Sequence, residues 1–157
     1  MVISGEWFLL PYNNMLIGEF RNKLADGFRV AFPKKFRQEM GEKLILAQGY
    51  EGCLIAVSPQ AWDQLISDAA TGPFVSESVR DTTRFLLGSA AEVELDDQGR
   101  FVIPESLRES ANITDEIAFL GLGRWVEVWD QTLWNEHKKY IKEHGSEIAG
   151  KLSKVEI

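Results

Sequence analysis

The sequence predicts a mainly β protein with peripheral helices, an α+β fold built from two copies of one unit. Three observations predict it. The segment LADGFRVAFPKKFR at 24–37 returns 71 positions later as LDDQGRFVIPESLR at 95–108, so Leu24 meets Leu95, Arg29 meets Arg100, Pro33 meets Pro104 and Arg37 meets Arg108. With one extra residue in the second copy, the match runs on through Gly49 and Gly121, Ser58 and Asp130, Trp62 and Trp134. Each copy also carries short runs rich in β-formers bounded by glycine, the mark of strands joined by tight turns. Finally, the chain has 157 residues, the length of one compact domain. A repeat of roughly 50 residues buries too little surface to stand alone, so the two halves are expected to share one core.

The elements follow in order. Residues 1–14, MVISGEWFLLPYNN, have no counterpart in the second copy and form an N-terminal extension. The first half spans 15–68. It begins with a strand over 16–24 and a turn at Asp26-Gly27, whose residue types supply unusual backbone angles. A short strand Arg29–Phe32 follows, then Pro33 at a first helical position, where its missing N–H costs nothing. A short helix Lys34–Met40 and two strands at 44–48 and 53–57 come next, and Ser58 caps a helix carrying Trp62. Residues 69–87 are a linker and a bridging helix. The second half, 88–143, repeats the plan: a strand over 89–95, a turn at Asp97-Gln98-Gly99, a strand Arg100–Ile103, Pro104, a helix Glu105–Ser110, and strands at 117–121 and 125–129. Asp130 then caps a terminal helix over 131–143. The tail, 144–157, breaks near Gly145 and is expected to fray beyond Gly150.

Composition is that of an ordinary soluble domain, with 45% hydrophobic and 26% charged residues. No apolar run is long enough for a bilayer-spanning helix, and no signal-peptide pattern precedes the repeats. Cys53 is the only cysteine, which excludes an internal disulfide and suits a reducing cytoplasm. The net charge of −7 argues against a polyanion partner until it is mapped. Phe20 to Arg37 holds Arg21, Lys23, Arg29, Lys34, Lys35 and Arg37 against Asp26 alone. The equivalent stretch, Ala91 to Arg108, holds Glu92, Glu94, Asp96, Asp97 and Glu105 against Arg100 and Arg108. One scaffold therefore carries opposite faces. Because salt screens distant charges beyond about 8–10 Å, a local basic stripe can attract a polyanion to an acidic protein.

Site chemistry for catalysis is thin. His137 and His144 sit seven apart with no cysteine cluster beside them, and read as solvated helix residues rather than metal ligands. Cys53 opens an apolar strand and reads as a small core residue. Gly121-Leu122-Gly123 lacks the third glycine and the following helix of a dinucleotide fingerprint. Asp96 and Asp97 are turn residues whose side chains point apart. Trp125 and Trp129 share strand parity and, with Trp134, read as packing residues of a core or subunit interface. No catalytic residue, metal site or cofactor is assigned. What remains is a pair of arginines, Arg29 and Arg100, each following a hairpin turn and backed by a strand. A guanidinium so placed can offer its fork to phosphate or to a guanine edge. For Arg100, an ion pair with Asp96 competes with that reading. Arg29, inside the basic stripe, points to nucleic acid.

MLIGEF at 15–20, EVELDDQGRFVIPESLR at 92–108 and VEVWDQTLW at 126–134 resemble the MraZ family of bacterial transcription regulators, over Met15 to about Tyr140. The resemblance implies two SpoVT/AbrB-like halves in a swapped-hairpin, double-split β-barrel with pseudo-two-fold symmetry. It also implies a ring-shaped homo-oligomer, and contact with double-stranded DNA through an Asp-x-x-x-Arg motif in each half. The function it implies is sequence-specific regulation at operator repeats in the promoter of the division and cell-wall gene cluster. The expected location is cytoplasmic and nucleoid-associated, with no membrane and no small-molecule substrate as partner. The expected DNA-binding residues are Arg29, Arg100, Lys23, Lys34, Lys35 and Arg21, on turns set by Asp96, Gly99, Asp26 and Gly27. The first motif departs from the pattern: Ala25 stands where the acid belongs and Phe28 where the glycine belongs, so a turn shifted by one residue onto Asp26-Gly27 is expected. A non-DNA-binding oligomeric interaction module and an AbrB-like antitoxin are the alternatives.

Overall fold

Residues 15–153 are described by a computed structural model; the expectation for residues 1–14 lies outside them. In chain order the elements are β1 (Leu16–Lys23), β2 (Arg29–Ala31), α1 (Lys34–Met40), β3 (Lys43–Gln48), β4 (Leu54–Val57), α2 (Pro59–Ala69) and α3 (Glu77–Ser89). The second copy continues with β5 (Ala91–Glu94), β6 (Arg100–Val102), α4 (Glu105–Ser110), β7 (Glu116–Gly123), β8 (Trp125–Asp130), α5 (Gln131–Glu143) and α6 (Gly145–Leu152). The class is α+β and mainly antiparallel β, as the residue pattern predicts.

Six strands form one sheet in the order β1-β7-β8-β4-β3-β5, and β2 pairs with β6 as a separate ribbon. Exchange each strand for its repeat equivalent and the six-strand order reads backwards onto itself. Within a half, only the hairpins β3–β4 and β7–β8 pair. Every other ladder crosses between halves: β1 on β7, β5 on β3, β4 on β8, and β2 on β6. The sheet is open, ending at β1 and β5, and no closed barrel is formed among the described residues.

Three layers result. On one face of the sheet the ribbon, α1 and α4 enclose the main core, which gathers Leu16, Leu44, Leu54, Ile117, Phe119, Val126 and Val128 against Val30, Phe32, Phe36, Phe101, Ile103 and Leu107. At its centre the Phe32 ring lies 6.2 Å from Phe36, 6.1 Å from Phe101 and 5.6 Å from Phe119, so aromatic contacts join the halves. The opposite face is covered by α2 and α3 over Ala47, Ile55 and Val57, and by α5 over Ala118, Leu120 and Trp129. Trp125 and Trp129 do share that face, but the first packs beneath α2 and α3 and the second beneath α5.

Local signals set the helix starts. The Ser58 hydroxyl accepts from the Ala61 N–H at 3.2 Å, and the Asp130 carboxylate accepts from the Leu133 N–H at 3.3 Å. Pro33 and Pro104 stand one position earlier than expected. Their ψ values of 131° and 140° are extended, which makes them cap residues whose carbonyls accept the first intrahelical bonds, from Arg37 and Arg108. The chain end also differs from expectation. Beyond the break at His144 it resumes as α6 through Leu152, past the glycine where fraying was predicted. The histidines are not simply solvated: the His137 ring stacks on Trp129 at 5.2 Å, and Tyr140 stacks on His144 at 4.3 Å. Cys53 is buried, and desolvation pushes its thiol far above the ordinary range, so it stays protonated and inert.

Candidate nucleic-acid interface

The ribbon puts the two arginines on one surface. In its register Val30 faces Phe101, Arg29 faces Val102 and Ala31 faces Arg100. Val30 and Phe101 are buried in the main core. Side chains alternate along a strand, so Arg29, Ala31, Arg100 and Val102 occupy the opposite, outer face. Arg29 and Arg100 are then diagonal neighbours, with Cα atoms about 7–8 Å apart. Residues 71 positions apart in sequence form one cationic pair on a two-stranded ribbon. Two further bonds lock the ribbon into each turn: Phe32 N–H donates to the Gly99 carbonyl at 2.9 Å, and Ile103 N–H donates to the Phe28 carbonyl at 3.3 Å.

The second turn is a self-capped loop. Gly99 N–H donates to the Asp96 carbonyl and Asp96 N–H to the Arg100 carbonyl, both at 2.9 Å. Gly99, at φ 76°, supplies the left-handed residue that a three-residue hairpin loop needs. The Asp96 carboxylate accepts from the backbone N–H of Gln98 at 2.8 Å and of Arg100 at 2.9 Å. It also pairs with Arg100 Nε at 3.1 Å. The Arg100 backbone N–H leads the causes that hold this carboxyl below its usual range. Thus the expected Asp96–Arg100 ion pair is present, and it fixes the direction in which Arg100 leaves the strand.

The first turn closes at the same positions by other means. Ala25 N–H donates to the Arg29 carbonyl at 2.7 Å, so the loop again holds three residues, and the shift expected from Asp26-Gly27 does not occur. Gly27, at φ 76°, and Phe28, at φ 60°, are both left-handed. Phe28 thus takes the place of Gly99 in conformation as well as in sequence. Ala25 offers no carboxylate, and among the described residues Arg29 makes no ion pair.

Two arginines that the sequence reading did not assign to the site complete it. Arg37 on α1 reaches across to the second turn, so close that a Cβ added to Gly99 would lie 1.8 Å from its Nη1. Arg108 on α4 reaches across to the first turn, its guanidinium carbon 3.5 Å from the centroid of the Phe28 ring. The matched pair Arg37 and Arg108 in the repeat alignment was the available signal; which turn each would reach was not legible. Lys34 and Lys35 are exposed in the first turn of α1, directly after the ribbon. Asp26 and Gly27 are exposed at the tip of the first turn, while Gly99 is buried under Arg37. Arg21 and Lys23 are not brought to this surface. On β1 their parity is opposite to that of core-facing Leu16 and Phe20, and Arg21 Nε donates to Gln131 Oε1 at 3.1 Å, tying β1 to α5.

The family described as "MraZ protein, putative antitoxin-like" matches residues 15–85 and again 86–151. The chain belongs to the MraZ family. Among its relatives, the protein named transcriptional regulator MraZ of Caldanaerobacter subterraneus subsp. tengcongensis is 37% identical over 143 residues, 91% of this chain and 100% of the relative. Proteins of the same name from Thermoanaerobacter sp. and Acetivibrio thermocellus are 36% and 37% identical over the same shares. Of the Asp-x-x-x-Arg pair that the sequence resemblance implies, the second half has both residues, Asp96 and Arg100, whereas the first half has Arg29 and no acid at Ala25.

Proposed function

We propose that the protein is a sequence-specific DNA-binding transcription regulator that reads operator repeats in the promoter of the division and cell-wall gene cluster. The observation that carries this is the β2–β6 ribbon with Arg29 and Arg100 diagonally across from each other on its outer face. A two-stranded ribbon fits the major groove, where arginine forks meet guanine edges or adjacent phosphates. Lys34 and Lys35 add positive charge beside it. They do so at a helix start, where the macrodipole disfavours cations by about 0.3–1 kcal/mol each. Charge kept against the helix's own preference suits a polyanion ligand. Arg21 and Lys23, on the other side of the sheet, take no part in this contact.

The cross-half ladders support the family's swapped-hairpin arrangement of two SpoVT/AbrB-like halves with pseudo-two-fold symmetry. A homo-oligomeric ring, in the cytoplasm and on the nucleoid, would let several weak ribbons engage several repeats at once and gain affinity through effective concentration. The relatives' printed name supports regulation. Fluorescence anisotropy on duplex DNA from upstream of the protein's own gene tests the proposal. Preference over scrambled duplex, with affinity falling steeply as salt rises, supports it. Equal binding to both duplexes, or none, rejects it in favour of an interaction module.

A further inference from the structure

The two turns hold their arginines by different devices, and the first turn's device involves Phe28 and Arg108, which lie outside the Asp-x-x-x-Arg pair. In the second turn the Asp96 carboxylate grips the Gln98 and Arg100 N–H groups and the Arg100 side chain together. Ala25 can do none of this. Yet the first turn keeps the same three-residue closure, with Phe28 in a left-handed conformation that a side chain rarely adopts. Phe28 is 49% exposed, and its ring is held by the Arg108 guanidinium 3.5 Å from its centroid. Arg108 is delivered by α4 of the other half, anchored through buried Leu107. A cation over an aromatic face is attracted by the ring quadrupole, which fixes the ring and, through it, the residue before Arg29.

We propose that Phe28 and Arg108 are positioning residues for Arg29: their stack across the halves does for the first turn what the Asp96 carboxylate does for the second. This rests on the DNA-binding reading of Arg29, but the ordering of the turn can be measured without DNA. The stack also gives Arg108 a task other than phosphate contact. Its counterpart Arg37 lies against Gly99, and among the described residues its guanidinium is over no aromatic ring, so the two helix arginines are not equivalent.

The test uses the full-length protein and five variants: Phe28→Leu, Phe28→Tyr, Arg108→Gln, the combined Phe28→Leu/Arg108→Gln, and the double variant Ala25→Asp/Phe28→Gly, which rebuilds the second turn's cap in the first. Two readouts are taken: hydrogen exchange of the 25–31 backbone without DNA, and affinity for upstream duplex across a salt series. Phe28→Leu and Arg108→Gln should each speed exchange and weaken binding about 3- to 10-fold. Combined, they should do little more than either alone, because they remove one contact. Phe28→Leu should leave the salt slope unchanged, since no phosphate contact is lost. Phe28→Tyr keeps the ring and should behave as the parent, and the Ala25→Asp/Phe28→Gly protein should bring exchange back to within about twofold of the parent, with binding lowered by the carboxylate that now competes for Arg29. Unchanged exchange in Phe28→Leu overturns the proposal, and weakened binding in that case marks the ring as a direct base contact. Failure of the rebuilt cap in a folded protein, or additive effects of Phe28→Leu and Arg108→Gln, overturns it as well. If the parent shows no preference for its upstream duplex, the proposed function falls while the exchange data still decide the positioning role.

Discussion

Replacing Gly99 with alanine would separate two reasons for one glycine. The first is conformational: at φ 76° a Cβ meets the neighbouring carbonyl, costing about 1–2 kcal/mol. The second is packing. The added Cβ would lie 1.8 Å from Arg37 Nη1, 2.4 Å from its Cζ and 2.8 Å from its Nε. All three atoms are the far end of a flexible side chain, so the guanidinium swings off the turn, at a cost of about 1 kcal/mol or less, below that of an overpacked core. Together the substitution should destabilise by about 1–3 kcal/mol. For a chain of this length that lowers the melting temperature by roughly 2–12 °C. Gly27 is the internal control, because it shares φ 76° and a Cβ there meets nothing within 4 Å. Gly27→Ala should therefore show only the conformational part. Chemical denaturation of both variants, alone and with Arg37→Ala, measures the difference. Arg37→Ala should recover the packing part in Gly99→Ala and do nothing for Gly27→Ala. Equal losses in the two glycine variants, or no recovery without the Arg37 fork, would refute the reasoning.

Three other outcomes follow from the same geometry. In a DNA titration, Arg29→Ala should abolish specific binding with the fold intact, whereas Arg100→Ala should weaken it less and cost little stability, its pair with Asp96 being open to solvent; the reverse ranking would move the DNA face to the second turn. Because the Asp96 carboxyl is depressed in the folded protein, its contribution is fully present above its usual value of 3.8 and is lost as pH falls through the lower folded value. An acid titration followed at the Arg100 amide should show that step, and Asp96→Asn should remove it. A fragment of residues 15–72 should be unfolded or aggregate, since β1 and β3 lose their partners β7 and β5; a cooperative melt from this fragment as a soluble monomer would contradict a shared core.

Much of the architecture was legible because it rests on local chemistry. Ser58 and Asp130 stand directly before helical runs, the helices Lys34–Met40 and Glu105–Ser110 follow prolines, and strand alternation separates Val30 and Phe101 from Arg29 and Arg100. What the sequence leaves open is pairing between distant strands. Nothing in the residues of β1 states that its partner is β7 and not β3. For the same reason Arg21 and Lys23 read as part of one basic stripe, although strand parity turns them away from Lys34 and Lys35. The first turn misled for a different reason. Asp26-Gly27 is a strong turn signal, yet the pairing of Ala25 with Arg29 and the buried Val30 hold the register, and Phe28 accepts the strain. Tertiary contacts overrode the local preference there.

The asymmetry between the halves then has a physical logic. The second half keeps what stabilises: an aspartate cap, a glycine in the left-handed position, and Glu105 at a helix start where the dipole favours an acid. In the first half each of these is exchanged for something costlier, Ala25, Phe28 and Lys34, and the exchange raises local positive charge while freeing Arg29 from a carboxylate. A single half could not sustain that trade, because a unit this small has little stability to give up. The ribbon makes it possible, since β6 and Arg108 brace the first turn with residues of the second half. The second copy therefore serves as scaffold for the first: a substitution such as Arg108→Gln, remote from Arg29 in sequence and on the acidic side of the repeat, should be felt at the basic turn.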